Sequence, residues 1–184
     1  MISRSDWESA AFRMFDDQYA YLSTGPRTRD FWRHDAKEIM KRNAQDPRGW
    51  ATVDWETGAS PDRMMENPAS PFTSEGLENV EHDLHPVTRE AAARQLVAMI
   101  DEWFSPENIP DYPKRQQSFF RDAETLLDRF GNDADYYSSS PRARDNPDPE
   151  SFSGSTPFTD LTMDLGLVVV SPSEVGVFWR FNDI

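Results

Sequence analysis

The chain has 184 residues with 33 acidic and 19 basic side chains, a net charge of −14, and no cysteine. The length predicts a single domain spanning 1–184. The missing cysteines exclude a disulfide frame, a thiolate nucleophile and a Cys-zinc site. Leu, Ile, Val and Phe make up only 19 % of the chain, yet six Trp, five Tyr and 12 Phe can each bury about 150–250 Å² (Phe included), enough for a packed core.

The first helix is predicted to start at Ser5, because Ser5-Asp6-Trp7-Glu8 has the spacing of a capping box. Trp7, Ala11, Met14, Phe15 and Leu22 follow at helical steps, and Gly25-Pro26 stops the pattern. A second helix is expected from Thr28 to Asn43, with Trp32, Ile39 and Met40 on its apolar side. Arg33, Lys37 and Lys41 lie on the other side. Residues 49–55, with Val53 and Trp55, lean toward an edge strand, and 58–85 reads as a long polar loop rich in Pro and Gly.

Pro86 suits the first turn of a third helix, expected to run to Phe104 with Leu96, Ile100 and Trp103 in its stripe. Pro113 opens a fourth, ended by Gly131. A second polar loop is expected over 131–157, which contains Ser138-Ser139-Ser140. The clearest β signal closes the chain. Alternating apolar residues over 161–170 and 175–181, joined by Ser171-Pro172-Ser173-Glu174, predict an antiparallel hairpin.

The expected fold is therefore α+β: about four helices on a small antiparallel sheet built around the 161–170/175–181 hairpin. The expected core is Trp7, Phe15, Trp32, Ile39, Leu96, Ile100, Phe120, Leu127, Leu167, Val169, Val177 and Trp179. No apolar run approaches the roughly 20 residues of a membrane span. The opening MISRSDWESA has no hydrophobic signal region, so a cytoplasmic location is expected.

The charge is unevenly spread, at +1 over residues 1–45, −10 over 46–111 and −5 over 112–184. That balance disfavours direct contact with nucleic acid or anionic membrane. Catalytic patterns are missing: there is no G-x-S-x-G, no phosphate-binding glycine loop and no HExxH. His34, His82 and His85 lie beside acids, and a metal-dependent hydrolase using them is one alternative, although their spacing matches no metal motif. No cofactor is predicted.

The middle block instead interleaves acids with tryptophan. Its candidate binding residues are Trp50, Asp54, Trp55, Glu56, Asp62, Glu66, Glu78, Glu81 and Asp83. Aromatic anchors within an acidic rim suit a basic partner protein. The leading expectation is a non-enzymatic protein of immunity or inhibitor type that masks such a partner. A DNA-mimic that occupies a DNA-binding enzyme is the alternative, and it requires a regular stripe of carboxylates. Arg outnumbers Lys 16 to 3, so an acidic, salt-adapted host would also account for the total charge.

Overall fold

A computed structural model describes residues 2–15, 19–54, 66–145 and 156–182. In chain order the elements are α1 (Arg4–Phe15), β1 (Ala20–Pro26), α2 (Trp32–Met40), β2 (Val53–Asp54), α3 (Ser74–Asn79) and β3 (His85–Val87). There follow α4 (Arg89–Ala98), a short 3-10 turn (Pro106–Asn108), α5 (Tyr112–Asp128), β4 (Asp135–Ser138), α6 (Pro141–Asp145), β5 (Met163–Val170) and β6 (Glu174–Asn182). The fold is α+β, with all strand pairs antiparallel in one six-stranded sheet of order β2-β1-β6-β5-β4-β3.

The predicted hairpin forms the middle of this sheet, in a register that sets Leu167 opposite Phe178 and Val168 opposite Val177. Its alternation does not separate a core face from a wet one, because both faces are covered. On one side α1, α4 and α5 bring Trp7, Met14, Leu96 and Leu126 against Leu165, Leu167, Val169 and Phe178. On the other, Ile39 and Met40 of α2 join Phe72, Val80 and Phe158 against Val168, Val177, Trp179 and Phe181.

The small residues in the alternation make room for rings. A Cβ on Gly166 would lie 2.2 Å from the Trp179 ring, and one on Gly176 would lie 2.3 Å from Phe130. The acid in the alternation is also buried. Asp164 accepts hydrogen bonds from the Trp179 indole N–H (3.0 Å), the Phe158 and Thr159 amides and the Thr159 hydroxyl. Burial still pushes its carboxyl above the usual value despite these donors.

Several expected boundaries move, each for a local reason. Ser3, not Ser5, caps α1: its hydroxyl accepts the Asp6 amide and donates to the Asp6 carboxylate. Glu8 instead accepts the Ala51 amide and pairs with Arg4. The helix expected to reach Leu22 ends at Phe15, and 20–26 forms β1, whose Leu22 lies opposite Phe178 of β6. Tertiary pairing overrides the helical spacing there.

α2 starts four residues late because the preceding chain folds back on Asp35, which accepts from the Thr28 amide and hydroxyl and from the Arg29 amide. Pro86 lies in β3, and Thr88 caps α4 through the Ala91 amide. Both long polar loops contain regular structure: α3 and the first residue of β3 fall within 58–85, and β4 and α6 within 131–157. The serine run is buried at the β4–α6 junction, where the Ser139 hydroxyl accepts the Gly166 amide at 2.8 Å.

Val53 does join an edge strand, paired with β1, whereas Trp55 lies outside the described residues. Of the expected core, Ile100 and Phe120 are only partly buried and the other ten residues are buried.

Candidate functional site

The chain after α2 turns through Arg42, in left-handed conformation (φ 60°), and runs along the sheet edge to β2. This segment is fastened by ion pairs, the Arg129 pairs buried and that of Arg48 at the surface. Asp46 pairs with Arg129 at 2.7 Å, Arg129 with Glu174 at 2.9 Å, and Arg48 with Glu174 at 2.9 Å. The Arg129 side chain has no exposure, and those of Asp46 and Glu174 have 4 % each.

Burial pushes the Asp46 carboxyl up, but hydrogen bonds from Arg129 and the Arg48 amide outweigh it and hold the group below its ordinary value. For Arg129, burial pulls the guanidinium down, while Asp46 and Glu174 more than restore it. The same arginine lies over two indoles, 4.7 Å from the Trp7 centroid and 4.6 Å from that of Trp50. Arg48 lies over Trp50 as well, at 4.8 Å, and the Trp7 and Trp50 rings are 5.7 Å apart. Trp50 is thus half-buried, with guanidinium groups of its own chain already on its ring.

Beside this segment is a cleft of about 370 Å³ lined by Tyr21, Ser23, Arg42, Asp46, Trp50 and Asp54, among others. Its charges are matched in pairs: Arg42 donates to both Asp54 oxygens, at 2.8 and 3.0 Å, and lies over the Tyr21 ring. Tyr21 is pushed up to about 12, chiefly by burial, so its phenol is no base near neutral pH.

The acidic middle segment packs against the basic side of α2. Glu81 pairs with Lys37 at 2.6 Å, and that bond holds its carboxyl below the ordinary value against a smaller opposing effect of burial. Arg33 donates to the Val80 carbonyl and lies over Trp32. Arg42 donates to the Pro68 carbonyl. The structure therefore commits three of the expected binding residues, Trp50, Asp54 and Glu81, to partners within the fold. Glu66 and Glu78 stand exposed, Asp83 is half-buried, and Trp55, Glu56 and Asp62 lie outside the described residues.

The three histidines sit in different settings. His34 meets the exposed Phe31 edge-on at 6.5 Å, His82 is exposed in a turn, and His85 pairs with Ser138 in the sheet. Among the described residues no group of three or more His, Asp or Glu is placed to hold a metal ion. No helix among them is long and apolar enough to cross a membrane.

A second acidic and aromatic neighbourhood lies in the α4–α5 connection. Helix α4 stops at Ala98, and Asp101 organises the turn that follows: one carboxylate oxygen accepts from the Trp103 and Ser105 amides and the Asn108 side chain. Phe104, in left-handed conformation (φ 58°), puts its ring in the core, while Trp103 points outward and is 46 % exposed. The Trp103 indole N–H donates to Glu102 Oε1 at 3.2 Å.

Asn182, at the end of β6, ties this turn to the sheet by donating to the Glu102 carbonyl at 3.0 Å. Below it, burial pulls Arg180 down to about 10, against the opposing pull of Glu102 and Asp101. Sequence reading missed this site by placing Trp103 in the buried stripe of a longer helix. Asp101-Glu102-Trp103 so close to Pro106 was the available signal that the helix had already ended.

Comparison with known proteins finds no matching family model, no matching curated protein and no matching solved structure.

Proposed function

We propose that this is a non-enzymatic acidic binding protein, acting in the cytoplasm, that occupies and masks a basic partner protein in the manner of an immunity or inhibitor protein. One observation carries the reading: many of the described cations are paired within the fold, and exposed carboxylates are left over. Arg13 forks onto Asp122, Arg89 bridges Glu124 and Asp128, and Lys37, Arg42, Arg48 and Arg129 are paired as described above. Glu66, Glu75, Glu78 and Glu107 are exposed and make no ion pair among the described residues. Exposed Arg29, Arg115, Arg121 and Arg144 also make no ion pair among the described residues, but the chain's net charge of −14 keeps the balance negative, which raises association rates with positively charged proteins and repels other acidic ones.

Glu75 and Glu78 lie on a helix of six residues. So short a helix supports a local patch and not the long, regular carboxylate stripe that a DNA mimic needs. That favours masking of a basic protein surface over occupation of an enzyme's DNA-binding cleft.

The test is capture from host lysate on the immobilised protein, followed by a wash at about 0.5 M salt, where the Debye length is only about 4 Å. The expected result is a basic protein retained at low salt, released at high salt and inhibited in a reconstituted complex. Retention of nothing basic at low salt overturns the proposal.

A further inference from the structure

Most tryptophans of this chain carry a cation already or are shut away from one. Among the described residues, Trp7, Trp32 and Trp50 have guanidinium groups of the same chain 4.5–4.8 Å from their centroids, and Trp179 is fully buried. Trp103 is the remaining one. It is 46 % exposed, and no guanidinium of the described residues lies over it.

Its surroundings are prepared for a cation. Glu102 is exposed, and its Oε1 sits 3.2 Å from the indole nitrogen, which places a carboxylate at the edge of the ring. Asp101 fixes the turn from beneath, Phe104 anchors it in the core, and Asn182 holds it to β6. Glu107 adds a further exposed carboxylate to the same connection. Arg180, the cation below the turn, is 6 % exposed and offsets one of these charges without covering the indole.

An exposed ring in a fixed position loses little conformational entropy on binding, and tryptophan is among the residues that most often dominate an interface. A guanidinium over the ring can stack and also donate to a neighbouring carboxylate, whereas an ammonium acts as a compact point charge.

We infer that Trp103 and Glu102 form the docking point for an arginine side chain of the basic partner, with the guanidinium over the indole and hydrogen-bonded to Glu102. This rests on the acidic-binding reading above and gives it a location and a preferred side chain.

The experiment titrates the full chain with an oligoarginine peptide and with an oligolysine peptide of equal length, by calorimetry at low salt. Trp103→Ala and Glu102→Gln are compared with the unaltered chain, and thermal unfolding of each variant is measured alongside. Trp103→Ala is expected to weaken oligoarginine binding about tenfold, and Glu102→Gln several-fold, with unfolding unchanged. Oligolysine is expected to bind several-fold more weakly than oligoarginine.

Equal binding of the two peptides, or unaltered binding by both variants, overturns the docking point. If a basic partner is retained at low salt and both variants hold it as well as the unaltered chain, this location falls and the acidic-binding reading stands. If the chain binds neither oligoarginine nor any basic protein, the reading itself falls.

Discussion

Trp50 and Trp103 are both flanked by acids in the sequence, and the fold treats them in opposite ways. Around Trp50 every nearby charge finds its opposite: Asp46, Asp54 and Glu174 are matched by Arg129, Arg42 and Arg48, and two guanidiniums lie over the indole. Around Trp103 the carboxylates outnumber the cations, and the ring stands out from the surface. The difference shows that acidic and aromatic composition alone does not define a binding surface. What matters is which charges remain after the fold has paired its own, because a charge already matched in a buried pair has little left to offer a partner.

The Trp50 side of this comparison breaks most severely at its central cation. Arg129→Met leaves Asp46 and Glu174 buried without their shared partner, and a loss of about 3–5 kcal/mol in urea unfolding is expected. Trp50→Ala removes a half-buried ring from Trp7 and both arginines, and should cost about 2–3 kcal/mol by the same measurement.

The pH dependence sharpens the electrostatic part. Because the folded-state value of Asp46 is lowered, its contribution is complete above the ordinary carboxylate range and is lost as pH falls through the lowered value. Asp46→Asn should therefore show a shallower loss of stability on acidification than the unaltered chain. Asp164, raised by burial, has the opposite sign and gains as pH falls from its raised value toward the ordinary one. Asp164→Asn should accordingly steepen the acid limb. The smallest expected effect belongs to Trp103→Ala, which should leave unfolding within about 0.5 kcal/mol, because an exposed ring supplies little to the core.

The fold was largely legible where a pattern is long and its environment simple. The 161–181 alternation announced β5 and β6, and the stripes around Leu96 and Leu127 announced α4 and α5. The extent of α1 was not, because Tyr19 to Leu22 fits a helical stripe and a strand equally, and pairing with β6 decides between them. Nor was the second covered face. Gly166 and Gly176 read as gaps in an apolar pattern, when in fact they are the space that Trp179 and Phe130 occupy.

The candidate site was legible only as composition. The −10 block contains both Glu81 and Glu107. That Lys37 reaches the first from 44 residues away, and that no described cation reaches the second, depends on long-range placement that no local pattern encodes.

The most direct test follows the indole N–H resonances of Trp50 and Trp103 in one NMR spectrum while an oligoarginine peptide is added. A docking point at Trp103 requires that the Trp103 resonance move with peptide concentration and return on adding salt, while that of Trp50 stays in place. Movement of Trp50 with Trp103 unmoved would contradict it.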